Sequence, residues 1–343
     1  MEQFASLDIL FLALSAIGFG IWLLIRGGDA TVDAATAIAT KLHIPTLVIG
    51  FTIVAFGTSL PELIVSINAN FKDSPGIAFG NVIGSNIANI LLVIGAAAAL
   101  SPVIVNRKDI KLDTLKMVLV SVFLSALLLS GIGIPAFVGL IMVLALIGYV
   151  GFQYWSSRKS LTPSSTATTT ATPASDISTE TGSNDEAQQP LWRCVSTLLF
   201  GLFAVAIGAD ILVRGAIVAS SIIGIPEAVV GLSVIAFGTS LPELATSVAA
   251  AMKKQAGIVV GNILGSNVFN ILLILGVMSI LKPIPADAIN PQLISFDIWV
   301  MVGVAILFAL VLLLRGKLGR MTGIFMIAGY TAYIVALSYI YTI

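Results

Sequence analysis

The chain has one cysteine, Cys194, and one histidine, His43, in 343 residues. A lone cysteine excludes an intramolecular disulfide and a multi-cysteine metal centre. The histidine stands just before Pro45 and reads as an interfacial residue at the start of a span, not as a metal ligand. Charge is scarce as well. Charged residues make up 10% of the chain, against roughly 25% in a soluble domain. The formal net charge is +0, which removes any electrostatic case for nucleic acid. What remains is apolar: 58% of residues are hydrophobic and mean hydropathy is +1.07. This composition describes an all-α polytopic membrane protein with little room for a soluble domain. The N-terminal MEQFASLD lacks the positive region of a signal peptide, so Leu7–Ile25 reads as a true span of a hydrocarbon core about 30 Å thick.

Apolar runs give ten candidate spans, roughly 7–25, 42–70, 76–100, 113–131, 134–155, 192–213, 222–251, 257–281, 293–314 and 321–342. The second and third of each half are interrupted by Pro, Gly or polar residues, and the others read as plain helices. Residues 156–190 are rich in Ser, Thr and Ala and have no periodicity. Such a segment cannot bury enough surface to offset its ordering entropy. It is expected to be a flexible linker joining halves 1–155 and 191–343. Its acids, Asp176, Glu180, Asp185 and Glu186, fit no EF-hand spacing.

An odd number of spans per half makes the second half enter the bilayer from the opposite side. The expected architecture is therefore ten transmembrane helices as two inverted five-helix repeats, with broken second and third helices in each half. Lys and Arg then set the orientation. With the N-terminus outside, Arg26, Lys41, Arg107, Lys108, Lys111, Lys116, Arg158, Lys159, Arg193, Lys253, Lys254, Arg315, Lys317 and Arg320 lie inside, and only Lys72, Arg214 and Lys282 lie outside. This strong positive-inside bias puts both termini outside and the linker in the cytoplasm.

A 46-residue stretch occurs twice, at Gly50–Gly95 and Gly231–Gly276, offset by 181 residues without a gap and identical at 25 positions. Each copy carries GTSLPE: Thr58, Ser59, Pro61 and Glu62, then Thr239, Ser240, Pro242 and Glu243. Pro61 and Pro242 have no N–H, so the carbonyls of Gly57 and Gly238 lose their helical partner. Freed carbonyls at membrane depth must be satisfied by something else, and a bound cation can do so. A carboxylate in lipid is costly and is by default functional.

Each copy also carries GNxxGSNxxN. Asn81, Ser85 and Asn89 share one helix face, as do Asn262, Ser266 and Asn270. Gly76, Gly80 and Gly84 form a parallel small stripe, as do Gly257, Gly261 and Gly265, and such stripes let helices approach closely. For Asn81, Asn86, Asn262 and Asn267, plain interhelical hydrogen bonding competes with a ligand role. The sum is a hard, all-oxygen set of formal charge −2. It suits Ca²⁺ and also accommodates Na⁺, while nothing suits a soft metal. No nucleophile–base pair accompanies the glutamates, so the chain is not read as an enzyme, and no cofactor is expected.

These two motifs resemble the alpha repeats of the cation/calcium exchanger superfamily, close to prokaryotic sodium/calcium exchangers. The resemblance implies a plasma-membrane antiporter that moves Ca²⁺ against Na⁺ by alternating access, with calcium efflux as the expected direction, and that functions as a monomer in the lipid bilayer. It implies that Glu62 and Glu243 bridge calcium and that Thr58 and Thr239 lend it backbone carbonyls. Ser59, Ser85, Ser240 and Ser266 match hydroxyl ligands of flanking sodium sites, with carbonyls from Ala55 and Ala236. Asn89 matches the family's asparagine of the first repeat. The first and sixth spans match long tilted helices that slide against the other eight. Some sodium/calcium exchangers carry aspartate at the position of Asn270, so here a third carboxylate is missing. Two glutamates neutralise one Ca²⁺, two Na⁺ or two H⁺, which keeps Ca²⁺/H⁺ or other cation/H⁺ antiport open. A passive cation channel is the reading from a different class.

Overall fold

The structure, a computed structural model, describes residues 2–159, 189–223, 238–289, 291 and 293–340. The first helix, α1 (Glu2–Leu42), has 41 residues, about twice what a 30 Å core needs. The sequence reading of 7–25 caught only its apolar half. The remainder is rich in Ala and Thr and contains no proline before Pro45, so nothing stops the helix earlier. It ends where His43 turns left-handed (φ 54°) and the N–H groups of His43 and Ile44 cap the carbonyls of Thr40 and Ala39.

The second span is broken, as expected. It runs as α2 (Thr46–Ile49), a π turn at Gly50–Val54, α3 (Ala55–Thr58) and then α4 (Leu60–Phe71), with a 42° bend at Ser59. Pro61 sits in the first turn of α4, where its missing N–H costs nothing. The third span departs from expectation. It is not interrupted: α5 (Pro75–Ala88) and α6 (Ile94–Leu100) are joined by a π turn at Asn89–Val93. The polar residues widen the helix by one turn without breaking it, a form common at functional sites.

The helices α7 (Arg107–Leu129) and α8 (Ala136–Lys159) complete the first half. The second half begins with α9 (Leu191–Ile223), which outlasts the expected 192–213. The expected seventh span, 222–251, lies partly outside the described residues, and its described part is α10 (Leu241–Met252). Then come α11 (Ala256–Phe269), a π turn at Asn270–Leu275 and α12 (Gly276–Leu281), again one uninterrupted rod. A π turn at Leu293–Asp297 opens α13 (Ile298–Arg315), so the ninth span is less plain than read, and α14 (Arg320–Ile340) closes the chain's described part. Among the described residues, eight helices are long and apolar enough to cross a membrane, or nine if the bent pair counts as one. Of the linker, residues 160–188 lie outside the described residues, and α8 extends to Lys159.

The centre of the bundle is made by the third span and its counterpart, whose apolar windows are 78% and 83% buried, against 17% for α1. Around them α2 and α3 lie along α11. A methyl at Gly261 would fall 2.8 Å from the Phe51 nitrogen, and one at Gly265 would meet the Phe51 carbonyl. The close approach foreseen from the second glycine stripe is therefore present. For Gly76, Gly80 and Gly84 nothing lies within 4 Å among the described residues, and the equivalent of the α2–α3 segment, 227–237, is outside them. On the outside, α1 and α9 pack antiparallel through small residues: a methyl at Gly27 would lie 2.8 Å from the Gly201 carbonyl, and one at Gly20 2.7 Å from that of Gly208. Short antiparallel pairings close the loops, β1 (Val103–Ile104) with β2 (Lys317–Leu318), and a bridge of Ile134 with Ile284.

Candidate functional site

Each GTSLPE segment delivers its glutamate in the first turn of the helix after the break, at the head of α4 and of α10. Both Glu62 and Glu243 are fully buried. They come from different halves yet are near enough for their charges to interact. Among the described residues, neither carboxylate oxygen of Glu62 has a hydrogen-bond partner, and Oε2 of Glu243 has none. Oε1 of Glu243 accepts from Ser59 Oγ of the first half at 3.3 Å and from Ser266 Oγ of the second at 3.5 Å. Buried ionisable oxygens without partners are costly unless something else meets them.

The deeper polar residues converge on the same region. Asn270 donates to Ser85 Oγ at 2.9 Å, and Asn89 donates to Asn267 Oδ1 at 3.3 Å, in each case across the two halves. The oxygens Oδ1 of Asn89, Oδ1 of Asn270 and Oγ of Ser240 are also buried and have no partner among the described residues. Asn89 and Asn270 each begin a π turn.

Asn81 and Asn262 build a reciprocal clamp. Asn262 Oδ1 accepts from Thr58 Oγ1 at 3.3 Å, and its amide donates to Thr246 Oγ1 at 3.2 Å and Ser247 Oγ at 3.1 Å. Asn81 Oδ1 accepts from Thr239 Oγ1 at 3.2 Å, and its amide donates to the Glu62 carbonyl at 3.2 Å and Ser66 Oγ at 3.0 Å. Each asparagine ties α4 or α10 of its own half to the threonine at the other half's break. Plain interhelical hydrogen bonding thus accounts for these two. The Ala55 carbonyl, expected as a sodium ligand, already accepts from Ser59 N at 3.0 Å and Thr58 Oγ1 at 3.3 Å. Ala236 lies outside the described residues.

Two buried acids escaped the sequence reading. Asp113 accepts from Tyr149 Oη at 2.6 Å and from Gln153 at 3.1 Å, while Asp297 accepts from Tyr333 Oη at 2.8 Å. Tyrosine follows aspartate by 36 residues in both pairs. The two pairs are offset by 184 residues, outside the 181-residue register that exposed the duplication. They pin α7 to α8 and the start of α13 to α14.

The described residues contain no group of three or more His, Cys, Asp or Glu able to hold a metal. The donor set is two carboxylates with hydroxyl and amide oxygens, chemistry matched to a hard cation and not to a soft one. The family profile described as sodium/calcium exchanger protein matches residues 12–155 and 194–339. The chain is 37% identical over 305 residues to the putative antiporter CaxA of Alkalimonas amylolytica, covering 88% of this chain and 90% of that one. It is 32% identical over 343 residues to the sodium/calcium exchanger MaX1 of Methanosarcina acetivorans, covering 94% and 97%. Its fold superposes on the solved sodium/calcium exchanger from Methanococcus jannaschii with TM-score 0.77 and 31% identity, over 95% of this chain and 98% of that one.

Proposed function

Because the chain belongs to the sodium/calcium exchanger family, a family of membrane transporters and not of enzymes, we propose that it exchanges Ca²⁺ for Na⁺ across the plasma membrane by alternating access. The observation that carries this reading is the pair of fully buried glutamates, one per half, with three of four carboxylate oxygens unpartnered among the described residues. One Ca²⁺ neutralises both and fills their empty coordination; two Na⁺ do the same, so the ions compete for one site. Glu62 and Glu243 bridge calcium, with carbonyls of Thr58 and Thr239. The hydroxyls of Ser59, Ser85, Ser240 and Ser266, the amide oxygens of Asn89 and Asn270, and the carbonyls of Ala55 and Ala236 serve the flanking sodium positions. At Ala55 the hydroxyl of Thr58 gives way when sodium arrives.

The bundle is ten helices in two inverted repeats, 1–155 and 191–343, joined by a cytoplasmic linker, with both termini outside and the monomer as the working unit. The paired connections Val103–Leu318 and Ile134–Ile284 support the inverted relation. The inward sodium gradient makes calcium efflux the working direction. Complete burial of both glutamates speaks against an open pore. Asn270, amide where some exchangers carry an acid, favours keeping H⁺ as the second counter-ion reading, since it leaves the charge at −2. The test is ⁴⁵Ca²⁺ uptake into proteoliposomes. Uptake driven by internal Na⁺ and absent with a pH gradient alone is the expected result. Uptake driven by pH alone replaces Na⁺ by H⁺, and uptake with neither gradient makes the protein a channel.

A further inference from the structure

Two tight turns carry lysines at matched positions, Lys72 after α4 and Lys253 after α10, each followed by a left-handed residue, Asp73 and Lys254. The turns lie at opposite ends of the bundle. Thr46 packs beside Gly257 and Ala55 beside Gly265, so the Lys253 turn sits where α2 begins, while α4 carries Lys72 to the far end. The two long outer helices bear acids at the matching register, Asp29 on α1 and Asp210 on α9.

At one end this set is closed. Lys253 Nζ lies 2.6 Å from Asp33 Oδ1 and 3.4 Å from Asp29 Oδ1, and donates to the Asp29 carbonyl at 3.1 Å. The lysine thus ties α1 to the α10–α11 turn. At the other end the set is open. Lys72 makes no ion pair among the described residues, and Asp210 is held at 2.7 Å by Arg214 on its own helix. Arg214 stands at the position that matches Asp33. Duplication has therefore left two acids for the lysine at one end, and one acid with a competing base at the other.

We propose that Lys253 with Asp29 and Asp33 is a latch that holds the Lys253 end shut, and that Lys72 with Asp210 is its counterpart, formed when that end opens and the far end closes. The inference rests on the antiporter reading, which requires two alternating end states. The charges are outside the ion site and partly exposed, so each pair shifts an equilibrium by at most about fivefold. That is suited to biasing a cycle without freezing it. The acid count biases the resting protein toward closure at the Lys253 end.

The experiment uses Cys194→Ser protein in proteoliposomes with Ala249→Cys as reporter. Ala249 is covered by Gly28 of α1, so its reaction rate with a water-soluble maleimide reads the separation of α1 from α10. Lys253→Gln raises the rate roughly two- to fivefold. Arg214→Gln, which frees Asp210 for Lys72, raises it too, and adding Lys72→Gln cancels that rise. The charge swap Asp33→Lys with Lys253→Asp restores the slow rate, which a mere packing role of the lysine stem would not do. Unchanged rates in both Lys253→Gln and Arg214→Gln overturn the latch. As a second readout, Lys72→Cys with Asp210→Cys forms a disulfide faster when Lys253 is Gln, and equal rates also overturn it. ⁴⁵Ca²⁺ exchange is measured on the same vesicles: exchange with unchanged labelling rates refutes the latch alone, whereas loss of Na⁺-driven exchange in the parent protein refutes the antiporter reading.

Discussion

Asn262 and Asn81 occupy equivalent positions, and each accepts from the other half's threonine and donates to a serine of its own half, but Asn262 is fully buried and Asn81 is not. That difference decides their cost. Truncating Asn262 takes the amide partner from the Ser247 hydroxyl in a site without water, at about 1–3 kcal/mol, while Thr58 and Thr246 keep the carbonyls of Ala55 and Pro242. Water can replace Asn81. We expect Asn262→Ala to lower the thermal midpoint and raise KM for Ca²⁺ clearly more than Asn81→Ala does, measured by fluorescence-detected size-exclusion melts and ⁴⁵Ca²⁺ uptake. Equal effects would mean that the clamp is not what these residues share. The glutamates were legible in the sequence because a charge stands out in an apolar span, twice. The state of the Ala55 carbonyl was not, since a backbone acceptor leaves no trace in residue type. Asp113 and Asp297 were missed for a different reason: their Asp-to-Tyr spacing repeats, but outside the register of the main duplication.

At the scale of elements, the break at Ser59 followed from Pro61, and the structure bends there by 42°. The third and eighth spans were harder to read. Asn, Ser and Gly look like an interruption, yet their side chains find partners across the helix interface, so the backbone keeps its own bonds and yields only a π turn at Asn89 and at Asn270. The length of α1 was also hidden, because hydropathy marks where lipid ends and not where a helix does. The glycine stripe on α11 makes a sharp prediction. Gly265→Leu drives a side chain into the Phe51 backbone, and overpacking against backbone costs about 3 kcal/mol or more. The variant should fail to yield a monodisperse peak. Gly148→Ala, with nothing within 4 Å among the described residues, should elute and melt like the parent. A well-behaved Gly265→Leu would contradict the close packing of the Gly50–Val54 π turn and α3 against α11.

For the whole molecule, the sorting of Lys and Arg predicts that the α6–α7 connection faces the cytoplasm. Lys108, in the first turn of α7 beside it, is exposed. A Lys108→Cys variant in the Cys194→Ser background should react with an impermeant maleimide only after the cytoplasmic face is opened, and labelling of intact cells would reverse the orientation. The central claim is that the two halves share one cation site at Glu62 and Glu243. It is tested most directly by equilibrium binding of ⁴⁵Ca²⁺ to the purified protein with Na⁺ as competitor. The account predicts saturable calcium binding that Na⁺ displaces and that Glu62→Gln and Glu243→Gln each abolish, since one remaining carboxylate cannot balance a divalent ion in a dry site and several kcal/mol are lost. Calcium binding that survives in either variant with its affinity unchanged would contradict it.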